Sequence, residues 1–472
     1  MRGLSLTIIL VFIFSCSQPE RKLPNVIFIL ADDLGYADLG VYGSDFHETP
    51  NLDQMAGDGM LFTDAYASAP VCSPTRASIQ TGKYPVSVGI TNYIPGRKPH
   101  SFERLLAPED LNQLALEEIT LAEAFKSIDY RTASIGKWHL GANQFLPTHQ
   151  GYDINVAGNH RGSPPGYFYP YQRRDYQLEQ LAETGKKNEY LTDRLTQEAI
   201  DFIKANRDSS FFLYLSYYAV HIPLQAKVDL LRKYNHKLKK GTHRHDNPVY
   251  AAMVENLDRN VGDIFKVLKQ LDLDEETIVI FTSDNGGLSV KEGPHTPATT
   301  NFPLKEGKGY LSEGGIRVPL MVKWPGKIRA GAISEVPVTS IDFAPTLMQL
   351  MQIDHEPLDG ISILPVLMEA GNYQERDLFW HFPHYSNQGG SPGSAIRSGD
   401  FKLVEYFENQ TLELYDLQND IGEQNNLIYS EPQLAAELFG KLNRWREQKM
   451  VKFPVPNPEY QRESLFSLYE KP

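Results

Sequence analysis

Cys72 stands in the run Cys72-Ser73-Pro74-Thr75-Arg76, and the 472 residues contain only one other cysteine, Cys16. Neither is placed for a disulfide, so the thiols point to covalent modification rather than cross-linking. Asp32-Asp33 and Asp284-Asn285 are paired oxygen donors. Three carboxylates and one amide oxygen suit calcium, with magnesium as the lesser fit. No Cys/His cluster has zinc spacing. Lys137 and His139 are two apart, so an extended segment would turn both to one side. Lys308 lies between Gly307 and Gly309, which allow close backbone approach. Arg76 follows Cys72 by one helical turn and can point to the same place. His221, in His221-Ile222-Pro223, has the side chain best suited to proton transfer near neutral pH. Cations gathered at a metal and a modified thiol suit a reaction in which negative charge develops on a leaving oxygen.

These residues are far apart in the chain, so the fold must bring them together. Asn25–Ala31 is a continuous apolar run rich in β-branched residues, the pattern of a strand buried on both faces, and it ends at Asp32. Similar runs at 130–135, 211–220, 277–282 and 318–322 lead into Lys137, His221, Asp284 and Lys323. Helical patterns lie between them at 120–127, 191–205 and 247–271. In the last, Met253, Leu257, Val261, Ile264 and Leu268 recur at three- and four-residue steps. Strands alternating with helices predict an α/β fold with a large, mixed, mostly parallel sheet sandwiched by helices. Ligands in such sheets bind beyond the carboxyl ends of the strands, where Asp32, Lys137, His221 and Asp284 all fall. Past residue 370 the pattern changes to short antiparallel strands at 395–397, 401–406 and 411–415, then a helix at 431–449. This predicts a small α+β subdomain over 371–472, with an irregular tail from 453.

The Cys72 segment runs on through Ala77-Ser78-Ile79-Gln80-Thr81-Gly82-Lys83-Tyr84-Pro85. Here the chain resembles the formylglycine-dependent sulfatases of the alkaline-phosphatase-like superfamily, whose maturation enzyme reads Cys-x-Pro-x-Arg and oxidises the cysteine to an aldehyde. Gly136-Lys137-Trp138-His139-Leu140-Gly141 and the run from Gly307 to Pro319 are similar to further sulfatase motifs, and agreement extends from about residue 25 to 367. The resemblance implies that Cys72 becomes a formylglycine nucleophile. It implies that Asp32, Asp33, Asp284, Asn285 and the modified Cys72 hold one calcium ion, and that Arg76 holds the hydrated aldehyde. One hydroxyl of the hydrate would attack sulfur, His221 would protonate the leaving sugar alkoxide, and His139 would then deprotonate the second hydroxyl to expel sulfate. Lys137 and Lys308 would supply positive charge.

The net charge of −13 repels polyanions on average and argues against a nucleic-acid partner. Met1-Arg2-Gly3, an apolar stretch and Ser15-Cys16-Ser17 read as a signal peptide over 1–15, with lipidation at Cys16 and a tether over 16–23. The expected product is a periplasmic or outer-membrane bacterial lipoprotein, touching the membrane only through its anchor, with a catalytic domain over 24–370.

Two segments are candidates for sugar recognition. One is the aromatic insert 157–171 with His160 and Arg161. The other is Trp380-His381-Phe382-Pro383-His384-Tyr385. Export and these loops favour a sulfated carbohydrate, for example an algal polysaccharide such as ulvan or carrageenan. Two rivals stand. A phosphomonoester or phosphonate hydrolase of the same superfamily would need a second metal site, and the sequence offers no evident further Asp/His set for one. A carbohydrate-binding lipoprotein would keep Cys72 unmodified.

Overall fold

The computed structural model describes residues 23–461 except residue 372. The expected signal segment 1–15 and Cys16 lie outside the described residues, as do most of the tether and the last residues of the tail. The main sheet has eight strands, in the order Ala332–Ser334, Met60–Phe62, Leu320–Lys323, Thr277–Ser283, Asn25–Ala31, Phe211–Ser216, Arg131–Gly136 and Ile154–Val156. Leu320–Lys323 pairs antiparallel with both neighbours, and the remaining pairings are parallel.

The continuous apolar runs arise because both faces of the sheet are covered. Ile27, Ile29 and Ala31 pack on one face with the helices Pro50–Asp58, Leu191–Ala205 and Pro248–Gln270. Val26, Phe28 and Leu30 pack on the other with Cys72–Thr81, Leu121–Lys126 and Phe343–Met351. Each such side chain contributes roughly 1.5–3 kcal/mol by leaving water, which is why alternation is absent from this strand. Asn247 caps the long helix by accepting from Val249 N and Tyr250 N, both at 3.1 Å.

Three expectations change. The run 211–220 is a strand only to Ser216. Beyond it the chain bends back, with Val220 N donating to Asp32 O and Asp32 N to Ala219 O, so His221 is carried towards the end of the central strand. The small second sheet has four strands, not three, in the order Leu378–Phe382, Gly393–Ser398, Phe401–Tyr406 and Thr411–Asp416, all antiparallel. Its added edge strand contains Trp380 and His381. Val455–Pro456 in the tail pairs with Leu105–Leu106 rather than running free. One face of the second sheet packs on the helix Pro432–Gln448 through Leu438, Leu442 and Trp445. The other packs on Tyr66, Val71 and Ile316 of the main body, where Trp380 Nε1 donates to Ala67 O at 2.8 Å.

Gly136 closes the strand that delivers Lys137. It has φ +104°, and a Cβ there would lie 1.9 Å from Ser216 O on the adjacent strand. Gly136→Ala is therefore expected to cost about 3 kcal/mol or more, since strained backbone and overlap act together. Chemical denaturation checks this, and a loss below about 1 kcal/mol would contradict it.

Candidate active site

The carboxyl ends of Asn25–Ala31, Arg131–Gly136, Phe211–Ser216 and Thr277–Ser283 meet at one edge, and the helix Cys72–Thr81 begins there. Asp32 and Asp33 follow the first of these strands directly. Asp33 takes φ 60°, a left-handed turn that aspartate tolerates better than most residues, and its N–H donates to Asp284 Oδ1 at 3.2 Å. Asp32, Asp284 and Asn285 are fully buried and Asp33 nearly so.

The cations are distributed among these oxygens. Lys137 Nζ donates to both oxygens of Asp32, at 2.9 and 2.8 Å. Arg76 sits 2.7 Å from Asp284 Oδ2 through Nη2 and donates to the same oxygen through Nε at 2.9 Å. Its Nη1 donates to Ser216 Oγ and Lys137 O. Arg76 thus braces Asp284, with Asp32 3.6 Å from its Nη2. Lys308 Nζ donates to Asp33 Oδ2 at 2.7 Å and to His221 Nε2 at 3.0 Å.

Cys72 is 3 % exposed, and burial pushes its thiol up to about 12. One ligand atom from each of Asp32, Asp33, Cys72 and His221 lies within 4.8 Å of the others. His221 Nδ1 lies 2.7 Å from Ile222 O and donates to it, leaving Nε2 to accept from Lys308. Burial, with Lys308 beside it, lowers His221 to about 3, so the ring is neutral.

His139 does not lie in an extended segment. It has φ 61°, and the turn rather than a strand brings it to the site with Lys137. Its Nε2 donates to Ile94 O at 2.6 Å, while Nδ1 is buried without a partner. Burial holds this ring well below the ordinary histidine range, so Nδ1 is a free base. Gly162 lies against the ring: a Cβ there would meet His139 Cε1 at 2.5 Å.

The donor set fits a hard dication by three observations. Asn285 Nδ2 is used by Asp33 Oδ1, but Asn285 Oδ1 is buried with no hydrogen-bond partner. Burial, with the nearby carboxylates, pushes Asp32 up to about 8 even with Lys137 bound to it, so a cation beside it would favour its ionised form. Asp33, although buried, is held low by Lys308 and His221. Oxygen donors of this kind are calcium or magnesium ligands.

Above Cys72 opens a cavity of about 440 Å³, lined among others by Tyr93, His139, Ser163, His221 and Lys308. Arg173, Glu292, Asn387 and Gln388 also line it, and sequence reasoning missed all four. They lie on loops and a two-strand hairpin with no motif to mark them. Glu292 accepts from Gln388 Nε2 at 2.6 Å, a contact across long sequence separation that no local pattern records. A larger cleft of about 900 Å³ lies elsewhere, at the start of the strand Thr277–Ser283, and contains none of the site residues.

His160 and Arg161 are exposed and immediately precede Gly162 and Ser163 of the cavity wall, without lining it themselves. Arg161 covers the Tyr176 ring at 4.5 Å. Tyr167 and Tyr171 of the same insert are fully buried and cannot stack on a sugar. The second candidate segment lies outside the Cys72 cavity, with His384 and Tyr385 lining a separate pocket of about 350 Å³ that shares Tyr93 and Pro95 with it. His381 is a buried strand residue bonded to Ser394 Oγ and Lys452 O, and His384 is buried against Thr91 Oγ1. Neither lines the Cys72 cavity.

A family model described as Sulfatase matches residues 24–353, and one described as N-sulphoglucosamine sulphohydrolase, C-terminal matches 307–449. A protein named Sulfatase from Formosa agariphila is 33% identical, the match covering 91% of this chain and 89% of the relative. The N-acetylgalactosamine-6-sulfatase of Rattus norvegicus is 34% identical over 80% of this chain and 71% of its own length. A solved structure, Ps i-CgsB in complex with k-i-k-neocarrahexaose, superposes with a TM-score of 0.75 at 29% identity, covering 95% of this chain and 96% of that one.

Proposed function

The chain belongs to the sulfatase family and is a sulfuric ester hydrolase, and on that premise we propose that it desulfates a sulfated carbohydrate, using formylglycine made from Cys72 and one calcium ion. The observation that carries this reading is the placement of a buried, high-pKa Cys72 against Asp32, Asp33 and His221, beside the unpartnered Asn285 Oδ1. Cys72 opens the run Cys72-Ser73-Pro74-Thr75-Arg76, and on this reading a maturation enzyme converts it. The aldehyde, once hydrated, supplies an oxygen nucleophile that can be regenerated, and the dication supplies fixed positive charge to substrate oxygens.

The chain's own residues then have separable tasks. Asp32, Asp33, Asp284 and Asn285 would hold the ion. Arg76 fixes Asp284, and Lys137 fixes Asp32. The three carboxylates are already matched by Arg76, Lys137 and Lys308, so a bound dication leaves the site net positive and attractive to a sulfate ester. His139 Nδ1 is free to take a proton. His221 Nε2 receives a hydrogen bond from the Lys308 ammonium; for the departing sugar oxygen, Lys308 would give that proton to Nε2 and Nε2 would pass it on, leaving Lys308 neutral until solvent reprotonates it.

His221→Gln is expected to lower turnover of a sugar sulfate by about 10²–10⁴-fold, and that of an aryl sulfate with a good leaving group far less. Rates across phenyl sulfates of graded leaving-group pKa check this. Equal losses on every substrate would remove His221 from the proton-transfer role.

The carbohydrate assignment draws on the polar cavity wall of Arg173, Glu292, Asn387 and Gln388 and on a volume within the ~300–1,000 Å³ of small-ligand sites. It draws also on the similar chain solved with k-i-k-neocarrahexaose, which favours an algal galactan of the carrageenan type over ulvan. Incubation with defined carrageenan, ulvan and N-acetylgalactosamine sulfate oligosaccharides, reading free sulfate, tests it. Release from none of them, with turnover of aryl sulfates retained, would reject a carbohydrate substrate of these types. Faster turnover of aryl phosphate than aryl sulfate would favour the phosphate-ester alternative. From residues 1–16 we further read the chain as exported and anchored at Cys16. Metabolic labelling with a fatty acid that survives in the wild type but not in Cys16→Ala is the expected result.

A further inference from the structure

Away from the Cys72 cavity, three side chains from separate segments converge. Asp38 ends the short turn Tyr36–Asp38, His47 follows shortly after, and His245 lies in the loop before the long helix. All three are buried, and one ligand atom from each lies within 4.8 Å of the other two. His245 Nε2 is 3.4 Å and His47 Nδ1 3.7 Å from Asp38 Oδ1. Donors about 2.0–2.1 Å from a tetrahedral zinc ion stand roughly 3.4 Å apart, so the spacing is already close to that of a filled site.

Two features of the cluster are otherwise unaccounted for. Asp38 is fully buried, and among the described residues its recorded ion partners are these two histidines, with no lysine or arginine within reach. Its Oδ2 accepts from Gly35 N and Tyr250 OH, and its Oδ1 from Thr299 Oγ1. His245 is 3 % exposed, yet neither ring nitrogen has a hydrogen-bond partner, and His47 Nε2 has none either. Buried polar atoms left this way are costly unless something occupies the space between them.

We propose that Asp38, His47 and His245 form a second metal site, taking a zinc-class dication through Asp38 Oδ1, one ring nitrogen of His47 and His245 Nε2, with a fourth position for water. Two imidazoles and one carboxylate suit zinc, whereas calcium prefers oxygen throughout. His47 Nδ1 lies 2.8 Å from Asp38 O, a contact that orients the ring against Asp38. Exposed Arg244 and Asp246 flank His245, so an ion can enter through this loop. This cluster overturns the expectation that the chain holds no further Asp/His set. It does not revive the phosphate-ester reading, because none of the three lines the Cys72 cavity. Its role is to brace: Tyr250 OH contacts both Asp38 Oδ2, at 2.6 Å, and Asp33 O, at 3.2 Å. The site thus stiffens the segment that carries Asp33.

The test uses the purified chain, stripped with a chelator, resupplied with excess Ca²⁺ and titrated with Zn²⁺. Calorimetry and metal analysis after desalting should show a single zinc retained in the presence of calcium. Asp284→Asn should retain it, and His245→Gln should bind it at least about tenfold more weakly. Co²⁺ in place of Zn²⁺ should give the intense visible bands of a four-coordinate ion in the wild type. This reading needs no variant and stands if His245→Gln does not fold. No zinc retained against calcium, zinc held equally by a folded His245→Gln, or a Co²⁺ spectrum without those bands would overturn the site.

Discussion

Cys72→Ala is expected to lower kcat/KM on any sulfate ester by about 10⁴-fold or more while leaving the fold intact. The side chain is small and sits at the first position of its helix, so its removal opens little space. What is lost, on the proposed reading, is the group in the cavity wall that maturation would turn into the nucleophile. The unmodified wild type should be nearly as inert, because a thiol has no second hydroxyl with which to expel sulfate. Cys72→Ser separates the two halves of the reaction. A serine hydroxyl can accept the sulfuryl group but lacks the second hydroxyl needed to expel it. The serine variant should therefore give at most one turnover and retain the group, visible by intact mass. Initial rates, intact mass and circular dichroism check the set. An alanine variant with more than about a tenth of wild-type turnover would contradict it.

Asp284→Asn is expected to act on both activity and stability. Asp284 Oδ2 takes two contacts from Arg76, which is itself completely buried, and Oδ1 takes the Asp33 N–H. Neutralising it leaves Arg76 with only Asp32, 3.6 Å away, as a charged partner. An uncompensated buried charge of this kind costs about 3–5 kcal/mol, more than the ion pair itself is worth. Turnover should fall by about 10³-fold, as for other losses of fixed transition-state charge, and calcium affinity should fall with it. The physical cause is tested by the double variant with Arg76→Met. Removing both partners should destabilise less than the sum of the single changes. Strict additivity in urea denaturation would show that the Arg76–Asp284 contact is not the source of the effect.

Much of this site was legible because parallel strands buried on both faces leave continuous apolar runs. The polar residue ending such a run has nowhere to lie except the sheet edge. Asn25–Ala31 leading into Asp32 and Thr277–Ser283 leading into Asp284 are of this kind. What stayed hidden depended on contacts between distant segments. The extended geometry expected for Lys137 and His139 gave way to a left-handed residue at 139, which no propensity signals. Trp380 and His381 looked like a sugar-binding loop because aromatic and histidine residues suit both roles. Pairing with Gly393–Ser398 makes them a buried strand instead. The aromatic insert 157–171 reads as a candidate for sugar recognition, yet Tyr167 OH donates to Tyr218 O and His221 O and so helps place a catalytic candidate. Asp38, His47 and His245 carry no spacing signal, since the first two lie between Asn25–Ala31 and Met60–Phe62 and the third between Phe211–Ser216 and Thr277–Ser283.

The most direct measurement pairs mass spectrometry of the peptide carrying position 72 with turnover by the same preparation, over samples matured to different extents. Conversion replaces the thiol and one hydrogen with a carbonyl oxygen, and the product forms a hydrazone with a carbonyl reagent. The account predicts that sulfate-ester turnover rises in proportion to the aldehyde fraction and extrapolates to zero when the thiol is intact. Full turnover by a preparation whose Cys72 remains a thiol would contradict it.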